Sequence, residues 1–315
     1  MGEFELIERY FKRPSQRNVL GVGDDCALLR PGPGMELAVS TDMLVEGRHF
    51  LSTVNPRRLG YKSLAVNLSD LAACGAKPLA FTLALSLPAA DEAWLAPFAE
   101  GLFALADEHG CEVVGGDTTR GPLVIGITVF GEVPTGEALL RSGAHVGDDI
   151  WVSGTTGDAR VALEVFRGTM SLPSEVFEQA RARMELPTPR VALGQALRGV
   201  ATAAVDISDG LLGDLSHVLR ASGVGARIDA EAASSLLDVE VPSERRLEFA
   251  LSGGDDYELA FTAPAHRRDD VERAARAVHT RVTRIGRIEG ERGVRVVDAA
   301  GHPVPASFAS FDHFG

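Results

Sequence analysis

Aspartates recur beside glycine or small polar residues along this 315-residue chain, most of them where an apolar run ends. The first group is Gly21-Val22-Gly23-Asp24-Asp25, and the second is Val39-Ser40-Thr41-Asp42. Asp70 follows within a helical pattern. Three more groups are Val114-Gly115-Gly116-Asp117-Thr118-Thr119-Arg120, Asp206-Ile207-Ser208-Asp209-Gly210 and Gly253-Gly254-Asp255-Asp256-Tyr257. Taken one at a time, each reads equally as a turn or a cap. Asp and Gly are the commonest turn residues, and Asp209 stands where a helix N-cap belongs. Asp24 and Asp256 are the most turn-like, since each has an acidic neighbour. Taken together, five acidic turns and one helical Asp would repel one another in a single cleft unless cations neutralised them. Oxygen-only ligands point to Mg2+, which keeps waters and bridges to substrate phosphates.

The glycines suit the same chemistry, because residues without a Cβ let backbone N–H groups approach phosphate oxygens. Arg120 and Arg141 lie beside Gly-containing turns, and each reads either as a bidentate phosphate clamp or as a solvated cation. His49 reads as a contact to an acceptor or as a surface histidine. Familiar nucleotide motifs are missing. The three lysines, Lys12, Lys62 and Lys77, follow no P-loop pattern, and Gly21-Val22-Gly23 is not followed by the third glycine of a dinucleotide fingerprint. Nucleophile-elbow and protein-kinase motifs are absent as well. Any ATP is therefore held by another architecture.

Composition narrows the classes. Cys26, Cys74 and Cys111 lack CxxC spacing and read as free thiols rather than as a zinc site or a disulfide framework. A net charge of −13 argues against a nucleic-acid partner. No apolar run approaches the roughly 18 residues of a membrane-spanning helix. Glu3 and Glu5 stand where a secretory leader would be basic. The expectation is a soluble cytoplasmic protein with no membrane partner.

The elements that must position these residues are mixed. Helical spacing is expected over 3–11, 62–73 and 91–109, the last closed by Gly110, with Pro97 marking a kink or a late start. On the second of these, Ser63, Asn67, Asp70 and Cys74 share one face. Strands are expected over 35–40, 79–87, 112–114 and 123–133. The polar stretch 141–149 reads as a linker. Beyond it come strands over 150–153 and 202–207, with helices over 159–166, 174–185, 190–198 and 209–221. Without one clean βαβ period, the fold class is α/β, mixed with α+β, in two domains: 1–138 and 139–315.

At these residues the chain resembles the thiamine-monophosphate kinase family, within the aminoimidazole ribonucleotide synthetase-like superfamily. The matching stretches are GVGDDCALL (21–29), VSTDMLVEGRHF (39–50), YKSLAVNLSDLAACGAKP (61–78), GGDTTRGP (115–122), RSGAHVGD (141–148), AVDISDGL (204–211), SGGDDYEL (252–259) and FDHF (311–314). The resemblance implies transfer of a phosphoryl group from ATP to thiamine phosphate; a phosphate acceptor is already an anionic nucleophile, so with several Mg2+ ions neutralising charge the expected transfer is direct, with no phosphoenzyme. It implies a homodimer whose N-terminal sheets join in a barrel-like interface, and a C-terminal domain that completes the site. Asp25, Ser40, Thr41, Asp42, Asp70, Asp117, Asp206 and Asp209 match metal ligands of the family. Gly116, Asp117, Arg141 and Ser208 match its ATP contacts, and His49, Asp255 and Phe311 its thiamine phosphate contacts. Asp255 stands where Glu is common, and Phe311 where Tyr or Trp is frequent. Two other readings remain: another ATP-using synthetase of the superfamily, and a silent nucleotide-binding regulator. A selenophosphate synthetase would need a reactive Cys in a Gly-rich N-terminal segment, whereas Cys26 follows Gly23-Asp24-Asp25.

Overall fold

Strict alternation over residues 124–134 buries Ile125, Ile127, Val129 and Val133 while leaving the residues between them half-buried, the pattern of a strand with one face on a core. This strand belongs to a four-stranded sheet in the computed structural model, which describes residues 2–16, 20–22 and 26–304. The chain divides into two compact units, one of Met1–Leu71 with Ala76–Gly136, the other of Ala72–Gly75 with Glu137–Gly315.

The first unit contains β1 (Met35–Val45), β2 (Lys77–Leu87), β3 (Glu112–Arg120) and β4 (Val124–Pro134), in the order β1-β4-β2-β3. β4 runs antiparallel to both neighbours, whereas β2 and β3 are parallel. A parallel pair needs a crossover, and the long helix between them supplies it. A short helix α1 (Glu3–Leu6) continues into a π-type turn over Ile7–Phe11. α2 (Pro56–Ala73) and α3 (Glu92–His109) carry the core: Leu59, Leu64 and Leu68 on one, Leu95, Phe98 and Leu102 on the other, all fully buried. Each such side chain stabilises the fold by about 1.5–3 kcal/mol. Asp91 caps α3 by accepting from Ala93 N–H at 2.9 Å, and Gly110 closes it with φ 58°. The helix therefore starts before Pro97, not after it.

The second unit holds β5 (Asp149–Ser153), β6 (Ala203–Ile207), β7 (Gly225–Asp229), β8 (Glu258–Ala263), β9 (Val282–Glu289) and β10 (Gly293–Val297). Their order is β10-β7-β9-β5-β8-β6, antiparallel except for the β10–β7 pair. The helices are α4 (Asp158–Phe166), α5 (Ser174–Glu185), α6 (Val191–Ala196), α7 (Leu211–Ser222), α8 (Ala230–Ser234), α9 (Ser243–Ser252) and α10 (Arg268–Ala277). Every residue of β5, β6 and β8 is buried, so both faces of that part of the sheet are covered. Val161, Leu211, Leu215 and Phe249 share one core with Ile150, Val205 and Ile207, while Trp151 and Phe261 stack at 6.5 Å.

Three sequence expectations change. Residues 113–120 form strand, not turn, so Asp117 sits within β3; likewise β1 runs on through Ser40-Thr41-Asp42. The 141–149 stretch is no free linker. Gly143 and Ala144 donate their N–H groups to Ser222 Oγ at 3.2 and 3.1 Å, and His145 N–H donates to Asp148 Oδ2 at 3.0 Å. Asp209 does not cap α7, whose N-cap is Gly210. Among the described residues, no helix is long and apolar enough to cross a membrane.

Candidate functional site

In the first unit, β1 and α2 place the acidic and hydroxyl groups together. Pleating sends Ser40 and Asp42 to one face of β1, with Thr41 and Met43 on the other. β1 is a sheet edge, so half of its N–H groups have no strand partner. Asn67 on α2 accepts the N–H of Asp42 at 3.1 Å through Oδ1 and donates through Nδ2 to Ser63 O at 3.0 Å. Ser63 Oγ in turn donates to Leu59 O at 2.7 Å. One turn further along the same stripe, Asp70 Oδ2 accepts from Ser40 Oγ. Ser63 and Asn67 are buried, which is why a polar stripe survives on a helix otherwise packed with leucine and alanine. On the other face, Thr41 Oγ1 meets Thr128 Oγ1 at 2.8 Å. His49 Nδ1 accepts from Val45 N–H at 3.0 Å, which leaves its proton on Nε2.

Gly116 and Asp117 lie elsewhere in this sheet. Asp42 pairs with Ile127, Ile127 with Leu83, and Leu83 with Gly116, a single row from one sheet edge to the other. Three inter-strand spacings separate its ends by about 14 Å. Within one chain, Asp117 is therefore not brought to Ser40, Asp42 and Asp70. Gly116, at φ 145°, is required by close approach: a Cβ there would lie 1.9 Å from Leu83 O.

In the second unit, Asp206 is the penultimate residue of β6 and the loop 208–210 follows. Asp214, in the first turn of α7, accepts the N–H groups of Ser208, Asp209 and Gly210 at 2.9, 3.0 and 3.2 Å, all on Oδ2. Burial pushes the Asp214 pKa up to about 6; the amide bonds oppose the rise and the Asp209 charge adds to it. The loop carrying Asp255 is laid on this one. Asp255 N–H donates to Ser208 O at 2.7 Å and Tyr257 N–H to Ile207 O at 2.8 Å. Gly254 is needed at that crossing, because a Cβ would lie 2.7 Å from Ser208 O. Asp255 adopts a left-handed φ of 72°.

Behind the loop lies a buried polar network. Both carboxylate oxygens of Asp256 accept from Gly157 N–H, at 3.0 and 2.9 Å. Burial holds Asp256 well above the usual carboxylate range; the Gly157 amide and Arg183 oppose this, while Asp158 and Glu258 reinforce it. Glu258 takes a bidentate bond from Arg190 at 2.5 and 2.6 Å, a bond from Arg183 at 2.7 Å and one from Ser153 Oγ at 2.6 Å.

Arg141 is exposed, and its carbonyl accepts from Ser222 Oγ at 3.3 Å at the end of α7. Midway along α7, His217 Nδ1 pairs with Arg220 Nη2 at 2.9 Å; a guanidinium only donates, so the ring proton sits on Nε2. Burial and the charges of Arg141 and Arg220 hold the His217 pKa down, and Asp209 opposes them, so Arg141 and Asp209 both act on one ring.

Asp25 and Phe311 lie outside the described residues. Among the described residues, no three His, Cys, Asp or Glu groups gather closely enough to hold a metal ion. What is present is the Ser40–Asp70 hydroxyl–carboxylate pair, with Asp42 two residues along the same strand face. Those oxygen donors fit a hard cation that takes one or two carboxylates and completes its shell with water and substrate phosphate. Asn67, Asp214 and His217 were not picked out as site residues from sequence. Asn67 was visible only as a member of a polar stripe. Asp214 had a readable signal: a carboxylate one turn inside a helix that follows a run of bare amides.

These two mixed α/β units are those of the AIR synthase related proteins. The chain matches their N-terminal domain family over residues 23–133 and their C-terminal domain family over residues 145–299. It is 46% identical over 323 aligned positions to thiamine-monophosphate kinase of Salmonella typhimurium, covering 99% of this chain and 98% of the relative. The crystal structure of thiamine-monophosphate kinase from Stenotrophomonas maltophilia K279a superposes with a TM-score of 0.84 at 46% identity, over 91% of this chain and 92% of the other. AaThiL, solved in complex with AMPPCP and TMP, superposes with a TM-score of 0.77 at 31% identity, over 90% and 89% of the two chains. The chain belongs to the thiamine-monophosphate kinase family.

Proposed function

We propose that this protein is an ATP-dependent kinase that phosphorylates thiamine phosphate to thiamine diphosphate. The observation that carries the reading is the match, along essentially the whole chain, to thiamine-monophosphate kinases at 45–46% identity. The structure adds the paired Ser40 and Asp70 beside Asp42, oxygen donors suited to a hard cation that bridges to phosphates. In this reading residues 1–138 supply Asp25, Ser40, Thr41, Asp42, Asp70 and Asp117 as metal ligands, and residues 139–315 supply Asp206 and Asp209. Mg2+ bound there would neutralise the phosphate charges and stabilise the leaving ADP. Gly116, Asp117, Arg141 and Ser208 hold the nucleotide. His49 donates from Nε2 to the acceptor, with Asp255 and Phe311 on its rings. The acceptor's terminal phosphate oxygen is already a competent nucleophile, so the chain needs no strong general base and transfer is direct and in line.

We further infer a homodimer through the N-terminal sheet. Met35, Leu37, Val39 and Met43 are 38–61% exposed on one face of β1, a long apolar edge that a second copy would cover. Edge-to-edge pairing of two sheets would also shorten the separation between Asp42 of one copy and Asp117 of the other.

The test is a coupled assay with thiamine phosphate and thiamine in parallel. Thiamine phosphate is used and thiamine is not, because a neutral alcohol offers no charge to a carboxylate-lined, metal-dependent site and would need a base within reach. Asp42→Asn keeps the fold and abolishes turnover. Equal rates on both acceptors, or full turnover in excess chelator, would overturn the reading.

A further inference from the structure

We propose that Asp214 is a positioning residue for phosphoryl transfer: its carboxylate sets the 208–210 loop in the conformation that presents Ser208 and Asp209 to nucleotide and metal. The inference rests on the function proposed above. A loop between a strand and a helix leaves its N–H groups unpaired, free to turn toward solvent or any nearby acceptor. Here three successive N–H groups, those of Ser208, Asp209 and Gly210, converge on one oxygen at 2.9–3.2 Å. That convergence fixes the peptide planes of the loop, and with them the directions in which the Ser208 and Asp209 side chains leave the backbone. Asp214 is 5% exposed and lies inside α7, whose Leu211, Leu215 and Val218 are buried in the core, so the acceptor is itself immobile. The Asp255 loop then rests on the outer side of the same backbone through Ser208 O and Ile207 O. One carboxylate therefore orders both loops without touching substrate.

The requirement is for an acceptor atom at that point, and this separates positioning from charge. Asp214→Asn keeps an oxygen able to accept the same bonds, whereas Asp214→Ala removes the shared acceptor of all three amides. Steady-state kinetics, calorimetric binding of AMPPCP with Mg2+, and amide hydrogen exchange are measured on the full-length protein. In the wild type, the Ser208, Asp209 and Gly210 amides exchange slowly although they lie in a loop. Asp214→Ala speeds their exchange, weakens AMPPCP binding and raises KM for ATP, and kcat/KM falls by about a hundredfold, the scale of a site displaced by an ångström. A mere loss of folded protein would lower Vmax and leave KM and the dissociation constant unchanged. Asp214→Asn stays within about tenfold of wild type. The proposal is overturned if the three amides exchange freely in the wild type, a result needing no variant. It is equally overturned if Asp214→Ala binds AMPPCP as wild type does, or if Asp214→Asn is as impaired as Asp214→Ala. A wild type that does not phosphorylate thiamine phosphate refutes the function alone; exchange and AMPPCP binding still decide the role of Asp214.

Discussion

Asp256 and Asp255 are chain neighbours with opposite situations. Asp255 is half-buried on a left-handed backbone beside Ser208, and Asp256 is fully enclosed against Gly157 N–H. Enclosure makes the charged form of Asp256 costly, so its folded pKa lies well above the ordinary value of about 3.9. The sign of its effect follows from proton linkage. Below the ordinary value the group is protonated in both states, and its stabilising contribution is intact. As pH rises through the folded pKa, the folded chain must ionise a buried acid, and that contribution is lost. Asp158, raised by the same enclosure, moves in the same direction. Asp256→Asn is neutral at every pH and retains an acceptor for Gly157. Its thermal midpoint relative to wild type should therefore rise as pH climbs from the ordinary carboxylate range toward the raised folded pKa. A difference that is flat, or that falls with pH, would show that Asp256 ionises at no cost in the fold.

At the scale of elements, α2 joins two functions that sequence patterns keep apart. Its apolar residues build the core, while Asn67 and Asp70 reach the edge strand β1 and Ser63 holds Asn67 from within the helix. Asn67→Ala leaves the Asp42 N–H without its acceptor, a cost of about 1–3 kcal/mol, and frees the strand segment carrying Ser40 and Asp42. Leu68→Ala removes fully buried volume and costs about 2–5 kcal/mol, yet replaces no site residue. The expected result, from denaturant unfolding with assays on the folded fraction, is a crossing. Asn67→Ala loses more activity and Leu68→Ala more stability. Activity that simply tracked stability would remove the distinction. The same helix shows how much could be read in advance. Its amphipathic spacing and the alternation of β4 predicted both elements, and the turn chemistry of Gly110 ended α3 correctly. Asp42 and Asp117 were misplaced onto turns because Gly and Asp are read as turn residues from local sequence. In β3 the glycine serves instead the close approach of β2, a long-range packing demand that no local window contains. The hydrogen bonds of Asp214 were missed for a similar reason: the acceptor lies within the helix, not at the N-cap position where sequence rules look.

For the molecule as a whole, the proposed assembly turns on two edges of one sheet. β1 carries Asp42 and β3 carries Asp117, with β4 and β2 between them. If both carboxylates serve one nucleotide, a single chain holds them about 14 Å apart, whereas a dimer that sets β1 of one copy beside β3 of the other would bring them together. In the proposed dimer, the apolar face of β1 would give that association its driving force. Val39, 55% exposed, and Met43, 61% exposed, lie on it four residues apart. Replacing both by Glu should yield a folded monomer by light scattering at micromolar concentration, with turnover lost although no proposed ligand is changed. A sharper experiment mixes two inactive proteins. Asp42→Asn and Asp117→Asn each disable every site in a homodimer. In a mixed dimer whose sites draw Asp42 from one chain and Asp117 from the other, one site carries both substitutions and the second carries none. Unfolding, mixing and refolding the two together should therefore restore activity, approaching a quarter of the wild-type value when exchange is statistical, since about half of the dimers are mixed and each has one intact site. Each protein refolded alone stays inactive. A dimer that shows no restoration would mean that each chain completes its own site, and a wild type that scatters light as a monomer would remove the shared site altogether.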